Sequence, residues 1–573
     1  MATFQPTLDH LDELRDPIAD NVVVVAHAFA ALDDSWTVYV RPQIGLDTVD
    51  LLLLHDQRGV VVVDVDSDAR RGRVVALARR HRSTIYDQFF SLPGDGRDPG
   101  SSVRAVVVSP SATTDEARVA HAPGDPAVMI WGSDALDGQL ELLLGATSTP
   151  VSSESVRRLR HQIVAAGVVH DAVAPVQLSA DARMVVANPK GSKVRGVTGP
   201  AGSGKTFALT ARAARLAAEG KSVLVLCFNS TLANRLRQLV VDRCAEYGAN
   251  PTLVTCASYH NFCARVVDDA AAAGVVADEP ARGTWPVKIV VKTTDVLRAG
   301  FDARFDAVLV DEGQDFTVAW WNLLREWVVR AEGEMLLATD PTVDLYGKLT
   351  WADPSVLDAA GFHEPWIEMA SSYRMAPELT EATNRFALAF VDAEGAIPAV
   401  PADQAAVVGN VSPGMRSWRN LDRVADLGPA IGHEVVRLLA ENPNLAPRDV
   451  VYLCEYHHDG LAAAGVIEAA GYPVHHVYSR DPDERHQRKA RFWPDADAVK
   501  GCTVHSFKGW ESPAVVLGVG MEERSRRLAY GSMTRVSSTQ GLDASHLVVL
   551  NADPRMSDFG VTFEQGVPIP VDA

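Results

Sequence analysis

The chain has 573 residues, too many for one hydrophobic core, and length alone predicts three or four domains of ordinary size. Apolar residues make up 47% and charged ones 22%, a balance that excludes disordered and fibrous classes. Lysine and arginine number 54 against 73 aspartates and glutamates, a net charge of −19, so bulk attraction to polyanions is excluded and any nucleic-acid path has to be a local basic groove.

No apolar run reaches the roughly 18 residues needed to span a bilayer. The opening MATFQPTLDHLDELRD is acidic where a secretion signal is basic and then apolar, so a cytoplasmic location and no membrane partner are expected. The cysteines (Cys227, Cys244, Cys256, Cys263, Cys454 and Cys502) contain no C-x-x-C pair, which predicts reduced, buried side chains rather than a disulfide framework or a zinc site.

Across residues 1–150, short apolar runs at Val22–Val25, Val49–Leu54, Val60–Val65 and Val103–Val108 alternate with polar turns, predicting a separate mixed α/β domain. The run from Asp50 through Leu54, a turn at Asp56–Gly59 and the run Val60–Val65 predict a hairpin with acids at both ends: Asp50 on one strand, Asp64 and Asp66 on the other. Arg70, Arg71 and Arg73 follow closely and read as a solvated helix face. The turn-rich Thr147-Ser148-Thr149-Pro150, followed by Ser152 and Ser153, places the first domain boundary there.

From Val194 the order becomes strand (Val194–Val197), Gly-rich turn, Ala-rich helix (Thr206–Glu219) and strand (Ser222–Phe228), the start of a parallel α/β unit. Gly199-Pro-Ala-Gly202-Ser203-Gly204-Lys205-Thr206 fits the G-x-x-x-x-G-K-[ST] phosphate loop in its required strand–helix setting. Glycines let backbone N–H groups close around phosphates, Lys205 neutralises them, and the Thr206 hydroxyl suits Mg²⁺. A second strand, Ala307–Val310, delivers Asp311, Glu312, Gln314 and Asp315 at its C-terminal end. Asp311 suits the Mg²⁺ shell and Glu312 the attacking water, because phosphoryl transfer needs neutralised charge and a positioned nucleophile. The pairs His457-His458 and His475-His476 lack metal-site companions and are expected at the surface.

From about residue 178 to 550 the motifs resemble, in order, those of UvrD/Rep-type superfamily 1 helicases. Asp311-Glu-Gly-Gln-Asp315 resembles the D-E-x-Q-D box, and Val223-Leu-Val-Leu-Cys-Phe-Asn229 a motif that touches DNA. Ser258-Tyr-His-Asn-Phe-Cys263 is similar to T-F-H-S-x-C, Ser372-Tyr-Arg374 to N-Y-R, Thr503-Val-His-Ser-Phe-Lys-Gly-Trp-Glu511 to T-x-H-x-x-K-G-x-E, and Met533-Thr-Arg535 to A-L-T-R. The resemblance implies an α/β protein with two RecA-like P-loop domains with parallel sheets, residues 151–358 and 359–573, that clasp ATP and Mg²⁺ and walk along single-stranded or partly duplex DNA. It implies catalytic roles for Lys205, Asp311, Glu312 and the arginine fingers Arg374 and Arg535. Nucleotide contacts would come from the phosphate loop and from Gln314, Tyr373, Gly509 and Glu511, and DNA contacts from Phe228, Ser258, His260, Thr503 and His505. The K-G-x-E form of the Thr503–Glu511 motif resembles the branch that moves 3′ to 5′.

The N-terminal hairpin resembles the NERD domain, a nuclease-related relative of the PD-(D/E)XK fold. That fold uses an Asp and a (D/E)-x-K on the neighbouring strand to hold Mg²⁺ and steer a water. Here Asp50 and Asp64 match and Asp66 replaces the lysine, so the three acids form a degenerate nuclease site in which a metal could sit without a lysine to activate the nucleophile. The helicase pattern also departs at Ala182, where an adenine-reading Gln is expected in Leu178–Ala182, and at Val343, where Asp340–Tyr346 lacks the Gln that links γ-phosphate to DNA. Three functions follow: a DNA translocase; an ATPase switch reporting bound DNA, in defence against foreign DNA; and a metal-dependent nuclease regulated by the ATPase.

Overall fold

The computed structural model describes residues 2–11, 18–44, 46–67, 73–90, 102–137, 178–276, 284–340, 353–391, 412–490, 497–538 and 542–565, with Leu140, Leu144, Ser155, Val156, Leu159, Arg160, Ile163, Trp351 and Phe492. Val343, Arg70 and Arg71 lie outside them.

The N-terminal strands are β1 (Thr3–Gln5), β2 (Thr37–Val40), β3 (Gln43–Ile44), β4 (Asp47–Thr48), β5 (Leu51–His55), β6 (Gly59–Val65), β7 (Val103–Ser109) and β8 (Val128–Gly132). Six of them form one mixed sheet in the order β1-β2-β5-β6-β7-β8, and β3 and β4 pair separately. The expected hairpin is β5–β6, antiparallel, with Leu51 opposite Val63 and Gly59 supplying a left-handed φ of 83° at the turn. Every residue of both strands is buried, which explains continuous apolar runs where a one-sided sheet would alternate. Helix Asp20–Phe29, built from the Val22–Val25 run, packs Val25 and Phe29 with Leu51, Leu53, Val61 and Val63. The other face packs Leu52, Leu54, Val60 and Val62 with Ile85 of helix Val74–Ile85 and also with Val156, Leu159 and Ile163. Those last three residues correct the boundary placed at 150/151. Their spacing of three and four presents one apolar face, and the N-terminal core is what buries it.

The second sheet comprises β9 (Val194–Thr198), β10 (Val223–Cys227), β11 (Val254–Ser258), β12 (Phe305–Val310), β13 (Val329–Thr339) and β14 (Ile367–Glu368). It is parallel throughout, in the order β11-β10-β12-β13-β9-β14. Helices cover both faces, and β10 divides accordingly: Val223, Val225 and Cys227 pack with helices Lys205–Ala218 and Ser230–Tyr247, Leu224 and Leu226 with Tyr259 and Phe262 of helix Tyr259–Ala272. Because β14 pairs with β9, the crossing to the third sheet falls after Glu368, which corrects the boundary at 358/359. The polypeptide has to cover the edge of β9 before leaving.

The third sheet comprises β15 (Gly414–Asn420), β16 (Val450–Cys454), β17 (Val474–His476), β18 (Val499–Thr503), β19 (Ala514–Val519) and β20 (Ser545–Asn551). It too is parallel, in the order β15-β20-β19-β16-β18-β17. His475 and His476 are not surface residues: they sit half-buried on β17, with His476 accepting the Tyr478 N–H and stacked on that ring. Burial, and then the Arg488 guanidinium, push the His476 pKa down to about 4. All six cysteines are buried free thiols. Among the described residues no helix is long and apolar enough to cross a membrane.

Candidate nucleotide site

The order of the second sheet brings three strand ends together. The phosphate loop follows β9, Asp311 follows β12, and β13 lies between them, so Asp340 emerges between loop and acids. Gly202 and Gly204 take left-handed φ values of 80° and 90°. A Cβ at Gly202 would meet Arg374 Cβ and Ser372 Oγ at 2.6 Å, so only glycine admits the Ser372–Arg374 segment against the loop. Lys205 Nζ donates to the carbonyls of Gly199 (2.7 Å) and Pro200 (2.8 Å) and stands 3.7 Å from Asp340.

Thr206 Oγ1 donates to Asp311 Oδ2 at 2.9 Å, pairing the two groups that would share Mg²⁺. A hydroxyl and a buried carboxylate in contact are hard oxygen donors, so the residues fit that ion. Burial and the neighbouring Glu312 charge raise the Asp311 pKa. Burial alone would raise Glu312 as well, but Lys508, Arg535 and Lys205 outweigh it and hold that carboxyl below its ordinary value. Glu312 is one of the few non-glycine residues with a left-handed backbone, φ 53°, strain of about 1–3 kcal/mol that the surroundings hold in place. Gln314 does not line the cavity: its Nε2 donates to Glu312 and its Oε1 accepts the Asp340 N–H, so it ties the Glu312 side chain to the end of β13.

A cavity of about 250 Å³ runs from Leu178, Ser179 and Ala182 past the loop to Glu312, and then to Tyr373, Arg374, Gly509, Glu511 and Arg535. The expected base-reading phrase therefore does face the site, with Ala182 where an amide was expected. The far wall comes from segments that adjoin elements packed in the third sheet's core: Tyr373 and Arg374 precede helix Pro377–Phe390, and Arg535 follows helix Glu523–Met533. Arg374 Nε donates to Glu511 Oε2 at 2.9 Å, and Arg235, from the helix after β10, binds the other oxygen. Burial opposes the Glu511 charge, but these two guanidinium groups bring its pKa down to about 2. Buried Lys508 reaches across to Asp315 at 2.8 and 2.9 Å and stands 3.9 Å from Glu312. Sequence reasoning missed Arg235 and Lys508 as functional groups. Arg235 carries no signal beyond a polar helix position, whereas Lys508 is the lysine of the Thr503–Glu511 segment that resembles T-x-H-x-x-K-G-x-E.

The candidate DNA residues divide. Phe228 stacks on Trp320 at 6.1 Å and meets His260 edge-on at 5.8 Å, so the two lie in one aromatic cluster, joined by Trp320, which the sequence did not single out. His505 is exposed, and its carbonyl accepts from Asn229 Nδ2 of the second-sheet domain at 2.7 Å. Thr503 is buried and donates its hydroxyl to Ser506 at 2.9 Å, which shapes the turn beneath His505.

The N-terminal acids are engaged by protein donors. Asp50 accepts the Val65 N–H at 2.9 Å and lies 3.4 Å from Arg41, Asp64 holds His81 Nδ1 at 3.0 Å, and Asp66 accepts from Ser109 at 3.1 Å and meets His121 at 3.0 Å. Among the described residues no group of three His, Cys, Asp or Glu side chains is placed to hold a metal ion, these three carboxylates, which could have shared one, included.

A family model described as an AAA domain matches residues 177–341, the stretch from the Leu178 phrase through the phosphate loop and acid box to Asp340. No curated protein matches the chain. Fold, site and family model together support an α/β protein with a P-loop NTPase domain, which implies nucleotide binding at this cavity.

Proposed function

We propose that this chain is an ATP-driven translocase on single-stranded DNA of the UvrD/Rep-like superfamily 1 type, its second and third sheets being two RecA-like domains and its first a NERD-like domain of PD-(D/E)XK descent. The observation that carries the reading is the composition of the cavity: Lys205 and Glu312 come from one parallel-sheet domain, and Arg374 and Arg535 from segments packed on the other. An arginine contributed by a second domain stabilises transition-state charge only when the domains close, which couples hydrolysis to motion.

Bound Mg²⁺, held by Thr206 and Asp311, would neutralise the β and γ phosphates. Lys205 adds a cation at the same place, Glu312 orients the attacking water, and Tyr373 and Gly509 shape the wall. Direction, 3′ to 5′, follows from the resemblance of the Thr503–Glu511 motif. The test is ATP hydrolysis by the full chain with oligo-dT and with oligo-rU, together with streptavidin displacement from either end of a biotinylated strand. DNA should raise turnover more than RNA, and displacement should favour the 5′ end. Absence of stimulation by both polymers would overturn the reading, and stimulation without displacement would turn the motor into a DNA-activated switch.

A further inference from the structure

The N-terminal domain and the second-sheet domain meet beside the end of β11, around a cavity of about 420 Å³. Arg265 pairs with Asp47 of the N-terminal domain and, at 2.7 Å, with Asp269; Arg80 of the N-terminal domain lies 3.4 Å from both Asp47 and Asp269. His81, buried between Asp64 at 3.0 Å and Asp47 at 3.7 Å, ties this contact to the former nuclease acids. Of the three hairpin acids, Asp64 is thus joined through His81 to the contact between the two domains.

Two groups lining the cavity are not explained by docking. Arg237 hydrogen-bonds Cys256 O at 3.3 Å and Asn234 Oδ1 at 3.4 Å but has no carboxylate partner among the described residues, and burial lowers its pKa. A half-buried guanidinium on a cavity wall, with no carboxylate to neutralise it, has N–H groups and charge left for an anion. Ser258 is 4% exposed and stands at the N-cap of helix Tyr259–Ala272, yet its hydroxyl makes no capping bond, and among the described residues it has no other partner. A serine at that position ordinarily accepts from the helix's first turn, and the turn's N–H groups attract negative charge. Ser230 brings the start of a second helix to the same cavity. The acids there are Asp47, which Arg265 and Thr84 already engage, and Asp268, whose ionisation burial opposes.

We propose that this cavity is a phosphate slot for the backbone of the translocated strand, with Arg237 and Ser258 as its floor and Arg80 of the N-terminal domain as its outer wall. It rests on the reading that a single strand crosses Phe228, since Ser230 lies two residues beyond that ring. The N-terminal domain then acts as a clamp that adds backbone contacts to the motor, which a protein of net charge −19 cannot obtain from its bulk field.

The experiment is oligo-dT binding by the full chain across a salt series, for wild type, Arg237→Gln, Arg80→Gln and Ser258→Ala. Each lost arginine–phosphate contact should weaken binding several-fold and flatten the slope of log affinity against log salt by about 0.7, the value per phosphate for single strands. Loosened packing would weaken binding without that change of slope, and Phe228→Ala, which removes stacking, should likewise leave the slope unaltered. Unchanged slopes in both arginine variants would overturn the slot while leaving the translocase reading intact; failure of the wild type to bind oligo-dT at all would instead remove that reading. A third arm uses inorganic phosphate as competitor. If phosphate protects the wild type against heat but not Arg237→Gln, while oligo-dT binding is equal in both, the cavity takes free phosphate and the strand assignment fails.

Discussion

Two sheets of this molecule end in carboxylates that look alike in sequence, and they serve different ends. At the tip of β12, Asp311 accepts from the Thr206 hydroxyl and lies near the Lys205 charge, while Lys205, Lys508 and Arg535 place positive charge around Glu312. At the ends of the β5–β6 hairpin, Asp50, Asp64 and Asp66 are each met by an amide, a guanidinium, a hydroxyl or an imidazole of the same domain, with both contacts of Asp66 on its Oδ2 and its buried Oδ1 left without a hydrogen bond among the described residues. Acids at a strand end make a reactive centre when their neighbours leave lone pairs for a ligand and supply charge for the transition state. Where internal donors engage the carboxylates, the same residues tie the strands of their domain to its helices.

The comparison breaks most visibly at Lys205. Lys205→Ala should abolish hydrolysis, and Glu312→Gln should retain nucleotide binding while losing turnover, both read with purified full chain; wild-type turnover by Lys205→Ala would show that the charge around β12 is not catalytic. Next in size, Arg374→Ala and Arg535→Ala should each lower turnover by roughly a thousandfold or more, the scale of arginine fingers, with nucleotide affinity less affected. Normal rates in both would dissolve the two-domain mechanism.

Lys508→Ala leaves Asp315 buried without its cation, a loss of about 3–5 kcal/mol for a buried pair broken on one side. Thermal unfolding should fall accordingly and turnover with it, and Lys508→Arg should recover part of both. On the other sheet the expected effects are smaller and of another kind. Asp64→Asn should destabilise the N-terminal domain by about 1–3 kcal/mol by weakening the hold on buried His81. Nuclease assays with Mg²⁺ and Mn²⁺ on linear and circular DNA should show no cleavage above an Asp50→Ala, Asp64→Ala control. Cleavage that those two substitutions remove would erase the distinction between the sheets.

The phosphate loop, the acid box and the succession of apolar strands were legible along the chain because each depends on neighbours a few residues apart: glycines before Lys205, a buried run before Asp311, alternating strand and helix periods. The hairpin was legible for the same reason, since its turn and runs are local. Domain limits were not. Val156, Leu159 and Ile163 form one apolar face in the sequence, but which core receives it depends on the open side of a distant sheet, and β14 belongs to the second sheet only because β9 had an edge to cover. The fate of each charged group was decided later still. Nothing beside Asp66 in sequence announces His121, and nothing beside Asp47, Glu511 or Asp315 announces Arg265, Arg235 or Lys508. Local chemistry determines which groups the chain possesses. Folding alone decides which of them lose water together, and the energy of a charge rests on its partners in that dry space.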